Sequence, residues 1–141
     1  MKARHPASIY LGQYGEIKSR CDLLKEQLNE LRQRAAGAGI RISEARTSPS
    51  FRQDRMAESA VRIADTERHL QDMISNLAEC LDMRLWLIEQ LDDETEKLLL
   101  TMRYIKGMGW VEISMKMHYG ESRTYEIHKS ALDHLWEKKG E

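Results

Sequence analysis

Histidine and cysteine side chains, which could bind a metal or catalyse a reaction, are scattered along this chain. Cys21 and Cys80 form no CxxC pair and no cluster with histidine, and the chain has neither a glycine-rich phosphate loop nor a nucleophile motif. The five histidines, which show no metal-ligand spacing, are His5, His69, His118, His128 and His134. The sequence therefore predicts a protein that is not an enzyme and that uses no cofactor or metal.

A different set of side chains has the types and spacing needed to contact DNA. In MHYGESRTYEIHKSALDHL, residues 117–135, a short polar break at Gly120 precedes an uninterrupted helical pattern. In a DNA recognition helix the first two turns contact base edges, while flanking cations hold phosphates. We therefore expect two groups of DNA-binding residues, one facing the groove and one at the phosphates. The first comprises Ser122, Tyr125, Glu126 and Lys129, and the second Arg123, Lys116 and Arg103.

Some of these residues have a plainer alternative role. Arg103 could instead form an intramolecular ion pair with Glu112 or another carboxylate. Lys116 and Lys129 could belong to a solvated helix face. Glu126 has the chemistry to accept a hydrogen bond from a cytosine amine.

Three helices must position the candidate residues. Asp93 and Glu96 have the spacing of a capping box, so a helix is predicted to start almost directly after Leu91 and to run through LLLTMRYI to Lys106. A glycine-containing turn at 107–109 leads to the short helix WVEISMKM, whose inward face is Trp110, Ile113 and Met117. A tight turn at 118–120 precedes the last helix. The residues predicted on its inward face are Thr124, Ile127, Ala131 and Leu135, with Leu132 and Trp136 beside them.

Two longer helices are predicted upstream, each with an apolar stripe of heptad spacing. Gly37 and Gly39 are expected to end the first helix, and GAGIRISEARTSPS to form a loop before a second helix that starts near Ser50 with a capping box to Gln53. The first stripe is Tyr10, Tyr14, Ile17, Cys21, Leu24, Leu28, Leu31 and Ala35. The second is Met56, Ala60, Ile63, Glu67, Leu70, Ile74, Leu77, Leu81, Arg84, Ile88 and Leu91.

The apolar stripe of the second helix is expected to be too long for the first helix alone to bury. About 40 residues at 1.5 Å each give roughly 60 Å of helix, so a second copy of the chain, the C-terminal helices or both must pack on it. Polar stripe residues such as Glu67 and Arg84 can fix register or oligomeric state. An intramolecular antiparallel hairpin with satisfied polar edges and a homodimer both remain open, and a homodimer is the assembly expected.

Arginines are concentrated around the predicted loop between these helices. They are Arg32, Arg34, Arg41, Arg46, Arg52 and Arg55. Such a cluster can grip phosphates or an acidic protein face, or it can serve only to keep a loop solvated.

Composition supports an all-α protein without a membrane segment. The chain is 41% hydrophobic and 32% charged, has only two prolines, and is rich in helix-forming residues. A net charge of −1 supplies no global attraction to nucleic acid, so a local surface must bind it. No secretion signal or membrane-length apolar run is present, which predicts a cytoplasmic protein. Two domains are predicted: a helical hairpin of coiled-coil type at 1–91 and a helix-turn-helix unit at 92–141.

WVEISMKMHYGESRTYEIHKSALDHL resembles region 4 of bacterial sigma factors, whose pattern fits it without a gap. The preceding LLLTMRYIKG resembles the helix that supports that motif, and the resemblance covers about the last 50 residues. The matching positions are Glu112, Ile113, His118, Arg123, Ile127, Ala131, Leu132 and Leu135. Glu121, Tyr125 and Glu126 depart from the sigma pattern, so the sigma target sequence is not implied.

The whole layout resembles phage-encoded sigma-like regulators of the ArpU and RinA type. The matching segments are 99–107, 110–113 and 123–127. This resemblance implies a phage or prophage transcriptional regulator that binds double-stranded promoter DNA and acts with host RNA polymerase. Two alternatives are an adaptor that binds polymerase without contacting DNA bases, and a DNA-packaging component of the small-terminase kind.

Overall fold

In the computed structural model, residues 4–42 and 49–140 are described, with side chains described for 4–37 and 49–140. These residues form helices and turns and contain no strand, which confirms the all-α class. The helices are α1 (Pro6–Ile42), α2 (Pro49–Glu89), α3 (Glu94–Leu100), α4 (Trp110–Met117) and α5 (Glu121–Lys139), and α3 continues into a π-helical turn at Thr101–Ile105. None of the helices in the described ranges combines the length and apolar character that a membrane crossing needs.

The predicted end of the first helix at Gly37 and Gly39 is wrong, because α1 continues to Ile42. Each glycine inside a helix costs only about 1 kcal/mol relative to alanine, and the alanines on either side favour the helix. The rest of the predicted loop, with Arg46, lies outside the described residues. The second helix begins at Pro49, within one residue of the prediction, which places Ser50 inside its first turn rather than at its cap.

The chain forms two compact units, and both long helices contribute to each. One unit contains residues 19–76, and the other contains 1–18 together with 77–141. The sequence predicts a boundary after residue 91 instead. In the packing, the first turns of α1 and the end of α2 belong to the same unit as the C-terminal helices.

In the unit of residues 19–76, the α1 stripe is covered as predicted. Cys21 and Leu28 are buried, and the other stripe residues of this unit, Leu24, Leu31 and Ala35, are half-buried. Glu67 of the α2 stripe pairs with Arg32 of α1 at 2.6 Å, so a polar stripe residue contacts the facing helix. The α2 stripe is only partly covered, since Met56 and Ile74 are exposed. Within the described residues of this unit only α1 is available to pack against α2, and part of the α2 stripe remains exposed.

The other unit holds the main hydrophobic core. It is built from both long helices and from every C-terminal element, and its fully buried large side chains are Leu11, Ile88, Leu99, Leu100, Ile113 and Leu135. Arg84, the second polar stripe residue, is buried within this unit. Its Nε donates to the Tyr10 carbonyl at 3.0 Å, and its guanidinium lies 3.9 Å from the centre of the Tyr10 ring. This polar stripe residue therefore contacts α1 through a backbone carbonyl and an aromatic ring.

Candidate nucleic-acid interface

The last helix has one buried and one exposed face, as the spacing predicts. Thr124, Ile127, Ala131, Leu132 and Leu135 are buried. The exposed face carries Ser122, Tyr125, Glu126, Lys129 and Asp133. The four residues predicted to face a DNA groove therefore lie together on the exposed side of the first two and a half turns of α5.

The turn that joins α4 to α5 is held by backbone geometry and by a short chain of hydrogen bonds. His118 ends α4 with a φ of 60°, the left-handed conformation that commonly terminates helices. Ser114 donates to the Thr124 hydroxyl at 3.1 Å, and that hydroxyl donates to the Gly120 carbonyl at 2.9 Å. Because Ser114 and Thr124 are both buried, this chain fixes the start of α5 against α4.

Arg103, predicted to contact a phosphate, is half-buried and bound within the protein. Its Nη1 donates to the Met108 carbonyl at 3.0 Å, and its guanidinium lies 4.6 Å from the centre of the Trp110 ring. These partners are a carbonyl and a ring rather than the carboxylate of Glu112 that the alternative expected. Trp110 in turn lies 4.8 Å, centre to centre, from the ring of Tyr125. The stack of Arg103, Trp110 and Tyr125 therefore connects the π-helical turn to the exposed face of α5.

A hydrogen-bonded column of Ser8, Tyr104 and His128 lies beside this stack. The Tyr104 hydroxyl is 2.7 Å from His128 Nε2 and 2.9 Å from the Ser8 hydroxyl. Burial lowers the pKa of His128 to about 4, with further lowering by the charges of Arg103 and His5. Burial also raises the pKa of Tyr104. At neutral pH the imidazole of His128 is therefore uncharged, and its Nε2 shares a hydrogen bond with the Tyr104 hydroxyl.

The buried carboxylate of Glu96 ties α3 to α5 on the other side of the unit. Asp93 caps α3 as predicted, accepting from the backbone N–H groups of Thr95 at 2.8 Å and Glu96 at 3.3 Å. The Glu96 side chain does not complete the predicted capping box. It accepts instead from the Ser130 hydroxyl at 3.1 Å and lies 2.7 Å from His134 Nδ1. The hydrogen bond to Glu96 is the largest cause that raises the pKa of His134.

The remaining candidate cations are exposed. Arg123 lies 3.3 Å from Glu126, one helical turn further along α5, so two predicted DNA-binding residues pair with each other. Both belong to the lining of a polar groove of about 300 Å³, which also includes Asp93, Tyr119 and Ser130. Lys116, in the last turn of α4, and Lys129 are exposed. An exposed ion pair of this kind contributes about 0–1 kcal/mol, so a ligand can open it at little cost.

Sequence reasoning missed the contribution of aromatic side chains to this surface. It assigned Trp110 to the inward face and did not connect it with Arg103 or Tyr125. The available signal was the presence of Arg103 and four aromatic residues, Tyr104, Trp110, Tyr119 and Tyr125, within the 23 positions from 103 to 125. Among the residues whose side chains are described, no group of three or more histidine, cysteine or acidic residues is arranged to hold a metal ion. Both Cys21 and Cys80 are buried free thiols.

A comparison with protein families finds a match over most of the chain. The family described as "Protein of unknown function (DUF722)" matches residues 7–137. The chain belongs to this family. No curated protein and no solved structure matches the chain. The DUF722 match extends from the first turn of α1 into the last turns of α5, so it includes both compact units and the whole candidate interface.

Proposed function

We propose that this DUF722 chain is a sequence-specific DNA-binding regulator of phage or prophage transcription. In this proposal α4 and α5 act as a helix-turn-helix, α5 enters the major groove of double-stranded promoter DNA, and the protein works in the cytoplasm with host RNA polymerase. One observation carries the proposal: the first turns of α5 expose a continuous set of hydrogen-bonding side chains, while the opposite face is fixed in the core.

The fixed position of α5 favours recognition of a rigid partner. Burial of Thr124 and Ile127 on the opposite side of the helix keeps the exposed face in place, as does the ring contact between Trp110 and Tyr125. A helix held in place loses little conformational freedom on binding, so more of the contact energy contributes to affinity. Tyr125 nevertheless remains 47% exposed, which leaves its hydroxyl edge free to approach a base or a phosphate.

The charge of the C-terminal segment indicates that base contacts must supply much of the selectivity. Residues 92–141 carry eight lysines and arginines against ten aspartates and glutamates, a balance of −2. Non-specific affinity grows with the number of phosphates that cations neutralise, so this segment alone binds backbone weakly. Glu126 suits a DNA groove only where it accepts from a cytosine amine, because an unpaired carboxylate there is repelled by phosphates.

A gel-shift series with the DNA upstream of the phage's own late genes tests the proposal. We expect Tyr125→Ala to weaken specific binding by roughly 5- to 100-fold, the range for loss of one good base contact, and Arg123→Ala to weaken binding to all sequences alike. Glu137→Ala, an exposed substitution near the end of the same helix, serves as the matched control and should leave affinity unchanged. Equal affinity for unrelated DNA, unaltered by either test substitution, would reject sequence-specific binding.

A polymerase-binding adaptor is the second candidate function, and the apolar surface of α4 favours it. Val111 and Met115 are exposed one turn apart on this short helix, an arrangement that suits contact with a protein. Retention of RNA polymerase by the immobilised protein, with no footprint on DNA, would support the adaptor. Light scattering that finds a ring of many subunits would instead favour a DNA-packaging component.

A further inference from the structure

A groove with unusually exposed aromatic and thioether side chains lies in the unit that contains the main core. Its volume is about 430 Å³, and we call it the Trp86 groove; its lining residues are Tyr10, Asp82, Met83, Trp86, Leu87, Lys138 and Lys139. Trp86 is 64% exposed and Met83 59% exposed, and the two lie three residues apart on α2. Residues with this spacing are neighbours on one helix face, so they form a single apolar ridge beside the groove.

An aromatic pair lies beside the two lysines of the groove: Tyr10 is a lining residue, and Trp136 is its neighbour. The rings of Tyr10 and Trp136 are 6.4 Å apart, centre to centre, in an edge-to-face arrangement. The Lys139 ammonium lies 5.0 Å from the Tyr10 ring and 5.2 Å from the Trp136 ring. Exposed tryptophan, tyrosine and methionine are the residues most enriched where proteins associate, and buried tryptophans often dominate the binding energy.

The two walls of the groove carry opposite charges. The α2 wall presents Asp82 next to the Met83 and Trp86 ridge, and the α5 wall presents Lys138 and Lys139. A surface that holds a ridge, a groove and both charge signs can complement itself when a second copy is turned by a two-fold rotation. In that arrangement the α2 wall of each copy meets the α5 wall of the other.

We propose that two copies of this chain associate about a two-fold axis through the Trp86 groove. The indole of Trp86 enters the groove of the second copy, and Asp82 pairs with the partner's Lys138 and the partner's Lys139. Self-complementary charge favours a second copy over an unrelated protein as the occupant. This proposal concerns assembly alone and does not depend on DNA binding. A failure of the DNA-binding proposal would therefore leave the dimer proposal standing, and the reverse also holds.

Sedimentation velocity of the full chain over a range of concentrations tests the interface. We expect the wild type to be a dimer and Trp86→Glu to raise the dissociation constant at least 100-fold, because the smaller side chain loses the apolar contacts that the indole makes inside the groove. Circular dichroism should show unchanged helicity, since Trp86 is mostly exposed. Val61→Glu is the matched control, because Val61 is a similarly exposed apolar residue elsewhere on α2.

A charge exchange tests the pairing independently of the indole. Asp82→Lys alone should weaken the dimer about 10-fold by placing like charges together. Asp82→Lys combined with Lys138→Asp and Lys139→Asp should recover most of that loss. A monomeric wild type at high concentration, a dimer insensitive to Trp86→Glu, or a dimer disrupted equally by Val61→Glu would overturn the proposal. So would failure of the combined exchange to improve on Asp82→Lys.

Discussion

Arg84 shows how a cation can be accommodated inside a helical core. All three guanidinium nitrogens are bound: Nε to the Tyr10 carbonyl at 3.0 Å, Nη1 to the Cys80 carbonyl at 3.4 Å and Nη2 to the side-chain oxygen of Gln13. The Tyr10 ring covers the guanidinium at 3.9 Å. The planar fork of arginine can satisfy several acceptors at once, which the single ammonium of lysine cannot do in the same positions.

We expect Arg84→Ala to lower the free energy of unfolding by about 1–3 kcal/mol, because it removes these hydrogen bonds and the packing on Tyr10. Arg84→Lys should lose a smaller part of this stability. Urea unfolding followed by circular dichroism measures both. Arg68→Ala, at an exposed position of α2, is the control and should change stability by no more than about 0.5 kcal/mol. Equal effects at residues 84 and 68 would contradict the structural role.

His128 and His134, both on α5, should make the stability of the protein depend on pH in opposite directions. The folded-state pKa of His128 is lowered to about 4, so the unfolded chain binds a proton more readily and stability falls as pH drops from about 6.5 toward 4. The folded-state pKa of His134 is raised by Glu96, so its contribution is fully present below the unfolded pKa and is lost as pH rises through the folded pKa.

When the pH falls from 7 to 5, therefore, protonation linked to His128 lowers the melting temperature, and protonation linked to His134 raises it. We expect His128→Gln to reduce the loss of melting temperature over this interval, and His134→Gln to enlarge it. Thermal unfolding at several pH values in buffers of constant ionic strength provides the measurement. His69→Gln, on the exposed surface of α2, is the control. Parallel curves for all three variants and the wild type would show that neither histidine is linked to folding.

At the scale of elements, the start of α3 depends on one side chain. The Asp93 carboxylate accepts from the N–H groups of Thr95 and Glu96, which would otherwise lack partners in the first helical turn. Asp93→Ala should destabilise the protein by about 1 kcal/mol, and Asp93→Ser should retain most of the stability. Asp92→Ala provides a control, because Asp92 is the exposed neighbour outside the cap. Chemical unfolding that gives equal losses at both aspartates would argue against capping.

The short C-terminal helices could be predicted from sequence because local signals agree there. The helix predicted at WVEISMKM begins and ends at Trp110 and Met117, as observed, and the inward face of α5 is confirmed at every predicted position from Thr124 to Leu135. Glycines flank both helices, and the apolar spacing within them has a single interpretation. The same rule failed at Gly37, where the neighbouring residues favour helix strongly enough to carry α1 through it.

The π-helical turn at Thr101–Ile105 had no signal in the sequence. Its Lys106 N–H bonds to the Thr101 carbonyl at 2.9 Å, five residues back, where a regular helix would bond four residues back. This wider turn contains Met102, Arg103 and Tyr104, which contact the core, the Trp110 ring and His128 respectively. Their positions depend on side chains distant in sequence, so helical periodicity alone could not place the Arg103 stack or the Glu96 contacts with α5.

At the scale of the whole molecule, the two compact units differ in how fully they are packed. The unit with the C-terminal helices has thirteen buried core residues in one cluster. In the unit of residues 19–76 only Cys21 and Leu28 are buried among the described apolar side chains. Since burial of apolar area is the main stabilising contribution, the second unit should open first on heating or in denaturant. Hydrogen exchange should therefore be slowest at Leu99, Leu100 and Leu135 and faster across residues 56–74.

The charge distribution of the whole chain also determines how the proposed DNA binding should respond to salt. Because the net charge is −1, the attraction to phosphates that this proposal needs must come from individual cations near α5 rather than from the overall field. Lys116→Ala should lower affinity for all DNA sequences alike and reduce the slope of log affinity against log salt by about 1. Tyr125→Ala should lower specific affinity while leaving that slope unchanged, because a base contact releases no counterion.

Lys25→Ala, at an exposed position of α1, is the control for loss of one positive charge. Identical slope changes for Lys116→Ala and Lys25→Ala would mean that the protein binds DNA through its general charge and not through α4 and α5.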